Sequence, residues 1–317
     1  MTAATARRPA LPAMRHPAAY DMLRAVAHPP QLAPRAFHRL RAAPLSGALG
    51  AEVTGLDLAA LDGETEAEIL VALADHLVLV FPDQVLEPAD QIAFARRLGT
   101  VNPWPYARPM AGFPELTELV SGPADIHNFG GGWHTDSSTF PRPPAYTVLQ
   151  CIDGPPAGGD TSYANQYLAW DTLPEEVRQG LDGLRLVHAT SKGFGDHSRS
   201  TGSGDVTTTP VVVPPEHEGL ESRHPVARSH PVTGRKALYV NAGFAARFDG
   251  WSVEESQPLL DALAAHGGIP EFTCRVRWRP GMVVVWDNRC CLHYAHNDYR
   301  GQRRVMRRAV VEGEVPV

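Results

Sequence analysis

Apolar and polar positions alternate with recognisable periods from about residue 46 onward. Between residues 69 and 76 the apolar side chains recur every three or four positions, as on an amphipathic helix, and Thr65 with Glu68 has the spacing of a capping box at the start of that helix. The unbroken apolar run 77–81 that follows is typical of a buried strand. This region is therefore predicted to form a helix and then a core strand.

The same reasoning predicts two further helices and five further strands. The helices are expected at 88–98, with Gly99 as its C-terminal cap, and from Ser252, the first residue of a Ser-x-x-Glu capping box, to about 266. Strands are expected at 48–53, 145–152, 237–241, 282–286 and 304–311. A β core flanked by helices follows.

Two segments depart from these periods. Residues 1–45 are rich in Ala, Pro, Arg and His, and their prolines interrupt every apolar run, so we expect a loosely ordered N-terminal arm before a single domain over 46–317. Within that domain, 191–215 is rich in Gly, Ser, Thr and Pro without periodicity. A loop of this length in a compact enzyme is a candidate lid.

Composition excludes several classes of protein. The net charge is −6 and no run of Lys and Arg resembles a nucleic-acid binding stripe, so DNA and RNA are not expected partners. No apolar stretch is long enough for a signal peptide or a membrane span. The four cysteines form no CxxC pair, which argues against a disulfide framework or zinc ribbon. A cytoplasmic protein without a membrane partner is expected.

The strongest chemical signal is the sequence Trp133-His134-Thr135-Asp136 together with the distant His293. Residues i and i+2 of a strand point to the same side, so His134 and Asp136 could present an imidazole and a carboxylate to one ion. A second histidine would complete the two-His, one-carboxylate set that holds one face of an octahedral Fe(II). The His-x-Asp pair alone is common, and a strand-end histidine with a capping aspartate is the simpler alternative.

Arginines follow His293 on the predicted strand 304–311. Strand periodicity places Arg304 and Arg308 on one face and Arg307 on the other. Guanidinium groups bind carboxylates through paired hydrogen bonds, so two of them near a metal ligand indicate an anionic cosubstrate and an anionic substrate. The alternative is a solvated, Arg-rich edge strand.

With these residues in view, the chain resembles the Fe(II)/2-oxoglutarate-dependent dioxygenases of the taurine dioxygenase and 2,4-dichlorophenoxyacetate dioxygenase (TauD/TfdA) family, from about Leu49 to Glu314. The resemblance lies in five landmarks that occur in the family's order: 50–58, 133–136, Gly158-Gly159-Asp160-Thr161, 286–294 and 302–308. The family's fold is a distorted double-stranded β-helix, also called a jelly roll or cupin-like barrel, with flanking helices. That fold is what the resemblance implies here.

The resemblance also implies roles for individual residues. The positions that match the family's iron ligands are His134, Asp136 and His293. Thr161 and Arg304 match the residues that bind the distal carboxylate of 2-oxoglutarate, and Arg308 matches the arginine that binds the substrate anion. Trp133, Asp287, Asn288 and Arg289 match positions that we interpret as structural supports of the site.

The reaction implied is hydroxylation of a small organic anion, with Fe(II), 2-oxoglutarate and O2 as cofactor and cosubstrates and succinate and CO2 as products. Asp136 favours hydroxylation over halogenation, because related halogenases carry a small residue at that position. Hydroxylation beside a heteroatom could also cleave the adjacent bond. A homo-oligomer, dimeric or tetrameric, is a family expectation.

The substrate region departs from the taurine-specific pattern. Asn102 stands where those enzymes have a histidine, and the following tyrosine is displaced to Tyr106. Their asparagine before the Trp-His motif is unmatched in position, where this chain has Asn128. We therefore expect a substrate other than taurine. Asn102, Tyr106 and Asn128 are candidate pocket residues, with the aromatic residues Trp104 and Phe129 beside them.

Two other functions remain open from the residues alone. The same His, Asp and His could bind Zn(II) in a hydrolase, with a metal-bound water as the nucleophile. The chain could also be a β-barrel that binds a small anion without catalysis. The remaining histidines have structural explanations: His224 and His230 precede prolines, His188 and His266 lie in apolar segments, and His296 is either a surface residue or a support. Cys290 and Cys291 are interpreted as buried free thiols.

Overall fold

The computed structural model describes residues 35–125, 130–199, 208–209 and 212–317, and only the backbone of 195–199. Asn128 and Phe129, two of the predicted pocket residues, lie outside the described residues, as does most of the predicted arm, 1–34.

Six α-helices occur in these ranges: α1 (Gly63–His76), α2 (Pro88–Leu98), α3 (Gln166–Asp171), α4 (Glu175–Leu181), α5 (Thr190–Arg199) and α6 (Val253–Gly267). Short 3-10 helices occur at Leu58–Ala60, Pro215–His217 and Pro270–Phe272. Within the described part of the chain, no helix combines the length and apolar character needed to cross a membrane.

Strands make up most of the regular structure. The first eight are β1 (Arg41–Pro44), β2 (Ala51–Thr54), β3 (Val78–Phe81), β4 (Val101–Asn102), β5 (Leu116–Ser121), β6 (Tyr146–Asp153), β7 (Thr161–Asn165) and β8 (Arg185–Ala189). The others are β9 (Glu221–Pro225), β10 (Ala227–Ser229), β11 (Lys236–Leu238), β12 (Ala245–Phe248), β13 (Thr273–Val276), β14 (Val283–Asp287), β15 (Cys291–Ala295) and β16 (Arg304–Val311).

The largest sheet has the order β1-β2-β3-β14-β6-β16-β4, and β5 pairs with β16 as well. Three smaller sheets have the orders β13-β7-β15, β12-β8-β9 and β10-β11. All pairings within the largest sheet are antiparallel except that of β2 with β3. The protein is therefore of mixed α and β structure, with sheets predominating.

Both faces of the largest sheet are buried, which explains the unbroken apolar run in β3. Val78 and Val80 join an apolar cluster with residues of β7 and β13, whereas Leu79 and Phe81 join a second cluster with residues of α1 and α2. Side chains alternate between the two faces of a strand, so a strand covered on both faces needs an apolar residue at every position. The sheet thus lies between helices on one side and the β13-β7-β15 sheet on the other.

Several boundaries confirm the sequence predictions and one corrects them. Helix α2 and the capping box of α6, formed by Ser252 and Glu255, occur where predicted. The predicted capping box at Thr65 and Glu68 is wrong. Helix α1 begins at Gly63, and its N-cap is Asp62, whose carboxylate accepts a hydrogen bond from the Thr65 backbone at 2.7 Å. Asp62 satisfies the same unpaired backbone donors one turn earlier.

Regular structure occurs in part of the predicted N-terminal arm and in part of the predicted lid loop. Strand β1 lies within the predicted arm 1–45 and pairs with β2 over four residues, so ordered structure begins before residue 46. The segment 191–215 was predicted to be a loop, but helix α5 occupies its first part, and several of its remaining residues lie outside the described ranges. Strand β16 is not an edge strand: it is buried throughout and is paired on both sides.

Candidate metal centre and its surroundings

His134 and His293 are joined directly by their backbones. The His134 N–H donates to the His293 carbonyl at 3.0 Å, and the His293 N–H donates to the His134 carbonyl at 2.7 Å. This antiparallel bridge fixes the two chain segments against each other and places the imidazole centres 4.0 Å apart. His293 is the central residue of β15, which is held in turn by β7.

Asp136 reaches the same point from a turn. The prediction of a strand for 134–136 is wrong, because pairing there is limited to the single bridge at His134 and the chain turns at Ser137, whose φ is 44°. The turn nonetheless aims Asp136 at the histidines: one ligand atom from each of His134, Asp136 and His293 lies within 4.8 Å of the others. The predicted metal-binding residues therefore come together.

The protonation states of these groups suit a divalent cation. His134 Nδ1 lies 2.8 Å from the Gly132 carbonyl, which can only accept, so Nδ1 carries the proton and the Nε2 lone pair is available as a ligand. Burial lowers the pKa of His134 and lowers that of His293 more strongly. Both imidazoles are therefore neutral at pH 7, as metal ligation requires.

Asp136 is ionised. Burial alone would raise the pKa of this carboxyl group, but Arg308, the neighbouring His293 and His134 and the hydrogen bond from Thr147 together outweigh burial and lower the pKa to about 2. Nη2 of Arg308 lies 2.8 Å from Asp136 Oδ1, and Thr147 Oγ1 lies 2.6 Å from Oδ2. Two neutral imidazoles and one carboxylate form the donor set typical of a non-haem Fe(II) site with open positions.

A second group of possible ligands, formed by His230, Asp287 and Cys290, has a structural role instead. Asp287 accepts hydrogen bonds from the Arg289 guanidinium at 2.8 and 2.6 Å and pairs with His230 at 2.9 Å. The other ring nitrogen of His230 accepts from the backbone of the following turn, as expected for the hairpin. The side-chain donors and acceptors of His230 and Asp287 are thus already used in hydrogen bonds within the protein.

Asn288 and Thr147 connect Asp136 to the sheet behind it. The amide of Asn288 donates to Thr147 Oγ1 at 3.0 Å, and the Trp286 indole donates to Asn288 Oδ1 at 3.0 Å. Asn288 was predicted to be a support of the site, but sequence reasoning missed Thr147. The strand pattern of 145–152 shows that Thr147 is in a core strand but gives no sign of what its hydroxyl contacts.

Thr161 and Arg304 both contact Trp278, a residue that sequence reasoning also missed. The Trp278 indole donates to Thr161 Oγ1 at 2.9 Å, and the guanidinium carbon of Arg304 lies 5.9 Å from the centre of the Trp278 ring. Nε of Arg304 is buried without a hydrogen-bond partner among the described residues. This part of the site is close to the histidines, because β7 pairs Thr161 with Ala295, two residues after His293.

A glycine turn precedes Thr161 and packs closely against the segment that contains Asp298 and Tyr299 and against Arg304. Gly158 and Gly159 have φ values of 83° and 69°, which disfavour other residues. A Cβ on Gly158 would lie 2.6 Å from the Asp298 carbonyl, and one on Gly159 would lie 3.3 Å from the Arg304 side chain. The Gly158-Gly159 landmark is therefore explained by its positive φ values and by the close approach of Asp298 to Gly158 and of Tyr299 and Arg304 to Gly159.

Arg308 lies between Asp136 and an aromatic group. Its guanidinium carbon lies 4.7 Å from the centre of the Trp104 ring, and the Trp104 indole donates to Ser137 Oγ at 3.1 Å. Tyr106, which is buried, packs edge-on against Trp104 at 5.7 Å and stacks on Phe140 at the same distance. Trp104 thus contacts the arginine directly, and Tyr106 lies one residue further away.

Asn102 is not brought to this site. It lies in β4 with its side chain exposed, and its amide donates to Glu312 at 3.4 Å. The strand pairs Asn102 with Val310, two residues beyond Arg308. Its side chain is directed to the surface.

The other histidines and the cysteines confirm structural interpretations. His224 and His188 both bind Ser138, through its carbonyl and its hydroxyl, each at 2.8 Å, and His266 binds the Ala169 carbonyl at 2.8 Å. His296 binds the hydroxyl of Ser162 at 2.8 Å. Cys151, Cys274, Cys290 and Cys291 are buried free thiols.

Comparison with known proteins decides which family this arrangement belongs to. Residues 41–310 match the family described as Taurine catabolism dioxygenase TauD, TfdA family. The chain belongs to the TauD/TfdA family. It is an enzyme, a 2-oxoglutarate-dependent dioxygenase that uses Fe(II), 2-oxoglutarate and O2. This membership favours oxygenase chemistry over the hydrolytic and non-catalytic alternatives.

Individual relatives match over most of their length. An alpha-ketoglutarate-dependent sulfate ester dioxygenase of Pseudomonas putida is 35% identical over 86% of this chain and 90% of its own. The alpha-ketoglutarate-dependent 2,4-dichlorophenoxyacetate dioxygenase of Cupriavidus pinatubonensis is 34% identical over 84% of this chain and 95% of its own. A putative taurine dioxygenase structure from Burkholderia xenovorans superposes with a TM-score of 0.74, at 33% identity, over 88% of this chain and 94% of that one. These TauD/TfdA relatives act on small molecules.

Proposed function

We propose that this TauD/TfdA dioxygenase hydroxylates a small organic anion other than taurine, with His134, Asp136 and His293 as the Fe(II) ligands. The observation that carries the proposal is the juxtaposition of three ligand atoms within 4.8 Å and the guanidinium of Arg308, 2.8 Å from the carboxylate ligand. A metal and an anion can thus be bound side by side in one buried site.

When bound, Fe(II) with 2-oxoglutarate and O2 supplies the oxidant for hydroxylation, with succinate and CO2 as products. The chain's own contribution is to hold the metal on one face, to bind two anions beside it and to exclude water. His134 donates through Nδ1 to the Gly132 carbonyl, so its Nε2 is directed to the metal in a single tautomer.

The distal carboxylate of 2-oxoglutarate is assigned to Thr161 and Arg304. The Trp278 indole can only donate, so Thr161 accepts from it and keeps its own proton for another acceptor. Arg304 is 8% exposed, and its Nε has no partner among the described residues, so a carboxylate would satisfy a buried donor that is otherwise unpaired. The two donors and the charge match what a carboxylate accepts.

Arg308 is assigned to the anionic group of the substrate. Its Nε and Nη2 are buried and make no hydrogen bond to the described residues, although Nη2 is close to Asp136. Trp104 covers the face of the guanidinium and restrains its orientation. The names of the relatives include a sulfate ester, a phenoxyacetate and taurine, each of which carries an anionic group at neutral pH.

We also infer that the largest sheet and the β13-β7-β15 sheet are the two sheets of the family's jelly roll. This assignment puts the proposed site between the two sheets, since the metal ligand His293 is in β15 of the small sheet and Arg308 is in β16 of the large one. The apolar cluster shared by the two sheets supports this assignment.

The first test is anaerobic addition of Fe(II) and then 2-oxoglutarate to the purified protein. The expected result is the visible metal-to-ligand charge-transfer band of chelated 2-oxoglutarate. The band should be absent in His293→Ala and unchanged in Arg303→Gln, because Arg303 is an exposed arginine that immediately precedes β16. Well-folded protein that binds Fe(II) but gives no band and no 2-oxoglutarate turnover would overturn the proposal.

The second test identifies the substrate class. Alkyl sulfates, sulfonates, aryloxyalkanoates and their uncharged analogues are compared by succinate formation coupled to O2 consumption. We expect coupled turnover with at least one anionic class and not with its uncharged analogue. Preference for the uncharged analogues would contradict the role of Arg308.

A further inference from the structure

We propose that Thr147 and Asn288 are positioning residues that present the metal with a single oxygen of Asp136. The inference rests on the metal site proposed above. It concerns the opposite side of Asp136 from Arg308, where the hydrogen bonds form one directed chain.

The contacts of Asn288 determine which group donates and which accepts in each of these hydrogen bonds. The Trp286 indole, which can only donate, lies 3.0 Å from Asn288 Oδ1, and the backbone N–H of Asp136 lies 3.3 Å from the same oxygen. Two donors converging there identify Oδ1 as the amide oxygen, so Nδ2 is the nitrogen that faces Thr147 at 3.0 Å. The amide of Asn288 therefore donates to the threonine.

Thr147 in turn donates a hydrogen bond to Asp136. Its hydroxyl accepts from Asn288, and its one proton points at Asp136 Oδ2, 2.6 Å away. An ionised carboxylate can only accept, so no alternative arrangement satisfies all three groups. The hydrogen bond is short, as is common when the acceptor is charged.

The other carboxylate oxygen is left for the metal. Asp136 Oδ1 faces His293 Nε2 at 3.7 Å and Nη2 of Arg308 at 2.8 Å, whereas Oδ2 is engaged by Thr147. Binding through one oxygen preserves three open positions on an octahedral metal, which 2-oxoglutarate and O2 require. A carboxylate that rotated to bind through both oxygens would occupy one of them.

The Thr147 hydroxyl lies in a fully buried part of the protein. Thr147 is 0% exposed and Asn288 is 1% exposed, so water cannot replace a lost hydrogen bond at Oδ2. Supporting hydrogen bonds to metal ligands of this kind change metal affinity by about 10- to 100-fold when they are removed. Thr147 is a central residue of the large sheet, paired with Trp286 in β14 and Val310 in β16, so its position is rigid.

The test uses Thr147→Val, which removes the hydroxyl at nearly constant shape, and Thr147→Ser, which restores it. We expect Thr147→Val to weaken Fe(II) binding, measured anaerobically, by about 10- to 100-fold and to shift the charge-transfer band. It should also raise the 2-oxoglutarate consumed per substrate hydroxylated. Thr147→Ser should bind Fe(II) within about threefold of the wild type, since it keeps the hydrogen bond.

The matched control is Thr172→Val. The Thr172 hydroxyl donates to the Leu168 carbonyl at 2.7 Å and does not contact the metal ligands. It should lose stability without changing Fe(II) affinity or the band. Should Thr147→Val fail to fold, Thr147→Ala, which also lacks a side-chain donor, is judged by the same criteria. Wild-type affinity and band in the folded variant overturn this inference, whereas absence of the band in wild-type protein overturns the proposed function instead.

Discussion

Nη2 of Arg308 lies 2.8 Å from Oδ1 of Asp136, yet that nitrogen makes no hydrogen bond to the described residues. The contact is thus one of charge and not of directed donors. The positive charge of Arg308 helps to lower the pKa of Asp136, and Nε and Nη2 of Arg308 have no hydrogen-bond partner among the described residues with which to satisfy their N–H groups, so they can bind another anion. The relationship couples the carboxylate ligand to the proposed substrate site.

Replacing Arg308 with glutamine should impair the use of anionic substrates. Losing one partner of a buried charged pair costs about 2 to 5 kcal/mol, so KM for the anionic substrate should rise by at least about 30-fold. Steady-state kinetics checks this. The KM of Arg308→Lys is expected to lie between those of the wild type and Arg308→Gln. The exposed Arg303→Gln variant should leave KM unchanged, and an equal loss for an uncharged analogue would contradict the assignment.

Replacing Trp278 with phenylalanine should weaken 2-oxoglutarate binding. The variant removes the indole donor that fixes the Thr161 hydroxyl, worth about 0.5 to 1.5 kcal/mol, so KM for 2-oxoglutarate should rise by about 2- to 12-fold. Titration of the charge-transfer band with 2-oxoglutarate measures the same effect without turnover. Trp251→Phe, the same change next to Phe248, should have no effect. If Thr161→Val weakens binding but Trp278→Phe does not, the indole has no positioning role.

The metal-free protein should lose stability as the pH falls from about 6.5 to 4. Burial lowers the pKa of His224 to about 4, and it lowers that of the neighbouring His188 well below its ordinary value. Tyr239 packs against both imidazoles, and Arg228 packs on the ring of Tyr239. Below pH 6.5 the unfolded chain binds protons that the folded chain excludes, so acid favours unfolding.

Urea unfolding at pH 7.5 and pH 5.0 measures this loss. His224→Gln can still donate to the Ser138 carbonyl but does not titrate, so its stability should depend less on pH, by up to about 1.4 kcal/mol per pH unit. An unchanged pH dependence in this variant would show that folding does not lower the pKa of His224.

Replacing Arg289 with methionine should destabilise the fold through Asp287. The carboxylate is 1% exposed and takes three hydrogen bonds from the Arg289 side chain and backbone, so removing the guanidinium leaves a buried charge with less compensation. We expect a loss of about 3 to 5 kcal/mol in the free energy of unfolding, measured by denaturant titration. Arg289→Met with Asp287→Asn should recover part of it. Fe(II) should still bind at one equivalent per chain. Binding of a second equivalent would instead assign a metal to His230, Asp287 and Cys290.

The sequence by itself determined the features that depend on neighbouring residues. Helix α2, the Ser252 capping box and the shared face of Arg304 and Arg308 follow from short-range periodicity, which depends only on backbone geometry. The motif at His134 with the distant His293 predicted the ligand set, because few arrangements of these residue types suit one metal ion.

Only the tertiary structure decided which polar groups meet. Thr147 contacts Asp136, and Trp278 contacts Thr161, through strand pairing between distant segments, and periodicity carries no information on such partners. The surface position of Asn102 was likewise set by the pairing of β4 with the end of β16. Hydrogen bonds in a sheet-rich protein join residues remote in sequence, so the sequence predicted the ligands but the fold selected their supports.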